Sequence, residues 1–181
     1  SNPGTYIVIR DIVFVPTAND QACIEISANN ITLDLNGKTI SQADATLTYT
    51  GIVGIEIDPG TKNHVIRNGA ISSMTKAAVE VREGVEIADI YDLTILRVGE
   101  YGVKVEGSEA DGIESLNFTN IDIEDTGRVG IDAYGFYFKN ASTVNLENCV
   151  SGEAFSILGQ AFGIKIDNCD SIRLKSCVFN N

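Results

Sequence analysis

Six residues that could do chemistry recur at the third place of a short strand-like string: Glu25, Glu56, Glu80, Lys104, Tyr137 and Lys165. Asp58 and Arg82 follow two places after Glu56 and Glu80, on the same side if each strand continues. If the strings lie side by side as neighbouring strands, successive members stand about 5 Å apart. That spacing suits the two carboxyls of a retaining glycosidase, which makes Glu56 and Glu80 catalytic candidates. Any two stacked carboxylates would meet it, so the spacing alone does not specify hydrolysis. Like charges this close repel and call for compensation by a cation, a raised pKa or a neighbouring base such as Lys104. No cofactor is otherwise expected; calcium is the one candidate ion, with Glu56, Asp58 and Glu80 as its ligands. Tyr137 offers a platform for a sugar ring, so Glu80, Lys104, Tyr137 and Lys165 are the substrate-binding candidates. The plainer alternative is a row of splayed, solvated side chains.

The strings that carry these residues are CIEI (23–26), GIEI (54–57), AVEV (78–81), GVKV (102–105), GFYF (135–138) and GIKI (163–166). Their starts are 31, 24, 24, 33 and 28 residues apart. A strand alternation that returns every two to three dozen residues marks a stacked β-architecture. A second string follows each first one and reads apolar-x-apolar, a turn residue, then apolar-x-apolar. Its turn residues are Asp11, Gly37, Asn68, Asp92, Asn120, Asn148 and Ser176, the last five spaced 24, 28, 28 and 28 apart. Gly, Asn and Asp tolerate positive φ, so each coil turns here through a left-handed residue, and stacked amides can bond from coil to coil. Ser176 is the least suited member and is expected to bend the pattern.

These strings predict three strands per coil. The second runs through Leu33, Ile66, Ile90, Phe118, Leu146 and Leu174, and the third through Ile40, Ile71, Ile95, Ile123, Ser151 and Phe179. Long turns are expected at 41–53, 106–115, 124–134 and 152–162. No coil can bury its apolar face alone; stacking does it.

The chain of 181 residues is 44% hydrophobic, enough for one domain with a substantial core. Its net charge of −12 argues against phosphate-backbone binding, so no nucleic-acid partner is expected. No apolar stretch is long enough to enter a membrane as a helix. Cys23 sits in the small-residue column otherwise held by Gly54, Ala78, Gly102, Gly135 and Gly163. Cys149 and Cys177 share an inward column with Ile12, Leu93 and Ile121 and read as two buried free thiols. The only histidine, His64, opens a second strand and reads as packed or surface rather than catalytic. Sequons occur at Asn30, Asn117 and Asn140 and matter only in a eukaryotic secretory pathway.

The order ITLDLNGKTI (31–40) then HVIRNGAI (64–71) resembles the entry coils of right-handed parallel β-helix proteins of the pectin-lyase-like superfamily. The resemblance runs from about Gly4 to Asn181. It implies an all-β fold: a right-handed single-stranded parallel β-helix of about six to seven coils, residues 1–181 forming a single domain. It also implies a substrate groove along the outer face of the first strands. The polygalacturonase-like pattern is absent: there is no DD, no GHG and no RIK segment. A pectate-lyase-like site needs acidic calcium ligands and an arginine base, for which Glu56, Asp58, Glu80 and Arg82 are the candidates. No capping helix is evident and both ends would expose strand edges, so the chain reads as a piece of a longer protein. The expected function is a non-catalytic β-helix module of a larger surface, secreted or virion protein that binds polysaccharide or glycan, or serves as a rigid spacer. The alternative is a polysaccharide lyase, glycoside hydrolase or epimerase acting in that groove. Homo-oligomers through the open coil edges, or fibre assembly, are the further partner expectation.

Overall fold

A computed structural model describes residues 2–44, 48–127, 132–156 and 159–180. Parts of the long turns expected at 41–53, 124–134 and 152–162 lie outside the described residues. The chain is a parallel β-solenoid of about 6 turns with no helix among the described residues. One sheet has six strands: β3 (Ala22–Ile26), β5 (Val53–Ile57), β7 (Ala77–Arg82), β9 (Tyr101–Glu106), β11 (Ala133–Lys139) and β14 (Ala161–Asp167), paired in parallel in that order. These are the six first strings.

The second and third strings of each coil share the other sheet. Its path runs β1 (Gly4–Ile7), β4 (Ile31–Gln42), β6 (His64–Ser72), β8 (Ile87–Val98), β10 (Ile113–Thr126), β12 (Ala141–Glu147) and β15 (Ser171–Lys175). In β4, β6, β8 and β10 both strings form one continuous strand bent at the turn residue. At the two ends they separate, adding β2 (Ile12–Phe14), β13 (Val150–Ser151) and β16 (Val178–Phe179).

The bend has a backbone cause. Gly37, Asn68, Asp92, Asn120, Asn148 and Ser176 all have positive φ, between 53° and 70°. Ser176, at φ 54°, keeps the pattern it was expected to bend. Asp11 leaves it: its backbone is not left-handed, and its carboxylate accepts the Thr39 N–H at 2.9 Å. Asn120 donates to Asp92 at 2.8 Å and Asn148 to Asn120 at 3.3 Å, one coil apart each time.

Alternation sends one face of every strand inward. The columns Leu33–Ile66–Ile90–Phe118–Leu146 and Ile55–Val79–Val103–Phe136 stack in register and are buried. The Phe118 ring meets the Phe136 and Phe138 rings across the core, at 6.2 and 5.5 Å. Each such side chain contributes roughly 1.5–3 kcal/mol by leaving water. A Cβ on Gly102 would stand 2.6 Å from the Gly135 carbonyl and 2.7 Å from Ile123, so this column is small because the sheets close on each other there.

Two cysteine placements differ from those expected. Ile12 pairs with Ile40, in the column that runs on to Ile71, Ile95 and Ile123, not with the cysteines. Cys149 is buried but Cys177 is only half-buried, since among the described residues β16 pairs on one side alone, with β13. All four cysteines are unbridged.

Candidate functional site

The outward residues of the six-stranded sheet align as the spacing predicts: Glu25, Glu56, Glu80, Lys104, Tyr137 and Lys165 face one another strand by strand. The row is not splayed and solvated throughout: Glu25 is exposed, but Glu80 is closed in. Glu80 is only 4% exposed. Lys104 Nζ lies 3.2 Å from one of its oxygens and Lys76 Nζ 2.7 Å from the other. Lys104 is the compensating base foreseen from its place in the row. Lys76 comes from the turn before β7, four residues ahead of Glu80, where strand periodicity carries no information.

A second charged row runs beside the first: Arg82, Glu106, Lys139 and Asp167 face one another in register with alternating sign. The rows are cross-linked. Glu106 takes Lys104 at 2.8 Å and Lys139 at 3.1 Å, and Lys165 reaches Asp167 at 3.5 Å. Arg82 lies on the side of Glu80 yet turns back to Glu56. Its Nε and Nη2 stand 3.0 and 3.1 Å from the two carboxylate oxygens, a bidentate fork.

The protonation of these groups follows from their surroundings. Burial pushes the Glu80 carboxyl up, but Lys76 and Lys104 outweigh it and hold the group below the ordinary range. Glu56 goes the other way: burial raises it and the Glu80 charge adds to the rise, with Arg82 opposing. Glu106 is lowered, chiefly by its hydrogen bond from Lys104. Burial lowers Lys104, but its bonds to Glu106 and Glu80 overturn that and raise it.

An aromatic stack was not foreseen. Tyr101, Tyr134 and Phe162 are in register on the same face. Tyr134 lies parallel to Tyr101 at 5.3 Å and to Phe162 at 5.8 Å, and Tyr137 tilts against Tyr101 and Tyr134 at 5.6 and 5.4 Å. Lys165 Nζ sits 5.3 Å from the Tyr134 ring centre and 5.6 Å from that of Tyr137, within cation–π range. The signal stood in the strings: the last three each have an aromatic residue just before their glycine.

The face therefore has two halves. Toward β3 it is carboxylate-rich, with Glu25 exposed; toward β14 it carries rings and lysines. A trough follows its edge where the chain turns toward the other sheet. One part, about 350 Å³, is lined by Lys76, Glu80, Arg82 and Lys104; the next, about 650 Å³, by Glu109, Lys139, Asn140 and Asp167; Glu83 and Glu106 line both. Among the described residues, no group of three or more His, Cys, Asp or Glu side chains could hold a metal ion. Glu56 and Glu80 are instead engaged by Arg82 and by the two lysines.

His64 packs inward, 1% exposed, with no hydrogen-bond partner for either ring nitrogen among the described residues. The three sequon asparagines all belong to amide stacks. Asn30 accepts from Asn63, Asn117 bridges Asp89 and Asn145, and Asn140 donates to the Gly107 carbonyl while accepting from Asn168.

No protein-family model matches the chain, and no curated protein matches it.

Proposed function

We propose that this chain is a non-catalytic β-helix module of a larger surface, secreted or virion protein, of pectin-lyase-like type, and that it holds a linear glycan along the outer face of its six-stranded sheet. The observation that carries this reading is the engagement of the carboxylates. Acid–base cleavage of a glycoside needs one carboxyl able to donate a proton and another free to attack or to activate water. Glu80 is clamped by two ammonium groups and Glu56 by a guanidinium fork. What the face offers a polymer is Tyr137 with its neighbouring rings, two lysines and a trough that crosses successive coils. The carboxylate half favours neutral or basic sugars.

The test is a panel of neutral, basic and acidic polysaccharides assayed for both binding and chain cleavage, with and without calcium. Binding without new chain ends is expected, weakened by Tyr137→Ala by about 1–2 kcal/mol through lost ring contact. Binders indifferent to Tyr137→Ala and Glu80→Gln would remove the glycan reading of this face, and a panel with no binders would leave a rigid spacer.

One observation favours a hydrolase or lyase instead. Glu56 is raised and Glu80 lowered on adjacent strands, and a carboxyl pair driven apart in this way is how an acid and a base are assigned their roles. New chain ends that vanish in both Glu56→Gln and Glu80→Gln would establish that reading over the first.

A further inference from the structure

A second furrow lies on the other sheet, away from the first-strand face. It holds about 470 Å³ and runs along the helix axis between two outward side-chain rows. Its floor is formed at Phe118 and Leu146. One wall is the row Asp89, Asn117, Asn145 and Arg173, in register on β8, β10, β12 and β15. The other wall includes Thr119, Glu147 and Lys175.

The first wall is polarised. Asn117 donates to Asp89 at 2.7 Å, and Asn145 donates to Asn117 at 2.8 Å. Every amide therefore spends one N–H on the coil before it, and the second N–H of each is left for a ligand. The row ends at Arg173, whose guanidinium makes no hydrogen bond or ion pair among the described residues. The neighbouring Lys175 is already tied to Glu147. In a chain of net charge −12, Arg173 is an unengaged cation in a furrow whose other charged members are the Glu147–Lys175 ion pair and Asp89 at the far end, with neutral amides between.

We propose that this furrow is a second binding site, for a linear glycan that bears a carboxylate. The planar fork of Arg173 takes the carboxylate through two parallel N–H bonds, which a lysine cannot reproduce. Sugar hydroxyls then meet Asn145, Asn117 and Thr119. The coil repeat of roughly 4.8 Å supplies a fresh polar side chain at about the interval of one sugar ring in an extended chain. Asp89 at the far end repels a second carboxylate, so the site prefers an acidic residue at one end of a neutral stretch over a uniformly acidic polymer. This site shares no residue with the first-sheet face, and the two can fail separately.

The experiment is a binding titration of the intact chain, read by amide chemical shifts of Asn117, Asn145 and Arg173. The probes are a neutral oligosaccharide, the same oligosaccharide ending in a uronic acid, and its sulfated counterpart. The expected result is that the uronic-acid probe shifts these three residues. Binding should weaken about tenfold in Arg173→Ala, the scale of one charge-assisted contact, and nearly as much in Arg173→Lys. It should also weaken with added salt and stay unchanged in Tyr137→Ala. A sulfated probe that binds better than the uronic-acid probe would overturn the carboxylate assignment. Shifts of these three residues by the neutral probe at equal affinity, no shift at them with the uronic-acid probe, or full affinity at them in Arg173→Ala would overturn the proposal. Because Arg173 is exposed on an outer strand, its replacement leaves the core intact, and unchanged shifts elsewhere verify that.

Discussion

The outer row of the six-stranded sheet and the amide row at the bend of the other sheet answer one geometric demand with different chemistry. Both repeat a side chain at every coil, about 4.8 Å apart. At the bend the repeated group is an asparagine or aspartate, and an amide is its own complement: the N–H of one coil donates to the oxygen of the coil before. On the first sheet the repeated group is a charge, and a charge is never its own complement. That row works only because its sign changes from Glu80 to Lys104, and because Lys76, Arg82 and Glu106 close around it. Amide rows can therefore run to any length, while charged rows must alternate or recruit help from the turns.

The contrast is broken most severely by Lys104→Glu. This change sets a new carboxylate between Glu80 and Glu106, strips both of a partner and leaves Glu80 buried beside like charges. Urea unfolding should show a loss of about 3 kcal/mol. The corresponding insult to the amide row is Asn120→Val, which removes two side-chain hydrogen bonds and forces a β-branched residue into φ 53°. A loss of about 1–3 kcal/mol is expected, insensitive to salt, whereas the Lys104→Glu penalty should shrink as salt screens it. A neutral Asn120→Val would mean that the ladder carries no stability.

A smaller effect separates the polar rows from the core. Burial holds the His64 ring below its ordinary pKa of 6.5. Above pH 6.5 the ring is neutral in both folded and unfolded chains and adds no pH dependence. Below it the unfolded chain takes up the proton first, so stability falls with falling pH, by at most about 1.4 kcal/mol per unit. Thermal melts from pH 7 to pH 5 should show this slope, and His64→Leu should flatten it. The smallest expected effect costs no stability. Under native alkylation Cys177 should react before Cys149, whose thiol is buried and pushed up to about 11. Equal rates would mean that the last coil does not cover Cys149.

Much of this molecule was legible in the chain because a solenoid writes its register directly into its spacing. The six strings named the first sheet, and the third residue of each named its outer row, because strand alternation has a period of two and leaves no choice of face. The left-handed residues were legible at Asn68, Asp92, Asn120 and Asn148, where Asn and Asp are enriched for a conformational reason. Asp11 shares that chemistry without the conformation; its short strands bond only to β4, and its carboxylate serves as an acceptor instead. The other amide rows, from Asn30 to Asn63 and from Asn140 to Asn168, sit where coil lengths vary, so no fixed spacing announces them. Lys76 and the ring stack were missed for a related reason. The first reaches in from a turn, and the second lies at the start of each strand, one place before the repeated string.

Glu56, Glu80 and Lys104 form a closed set of ion pairs with Lys76, Arg82 and Glu106. The most direct test of that closure is a pH titration of the Glu56 and Glu80 side-chain carboxyls, followed by carbon NMR with the glutamates labelled at the carboxyl. The two lysines around Glu80 predict a midpoint below 4.5 for that group, while burial beside Glu80 predicts a midpoint above 4.5 for Glu56. In Lys104→Met the Glu80 midpoint should move up and Glu56 should hold its direction. A Glu80 that titrates above 4.5 in the unmodified chain would contradict the account, because a carboxyl clamped by Lys76 and Lys104 cannot keep its proton there.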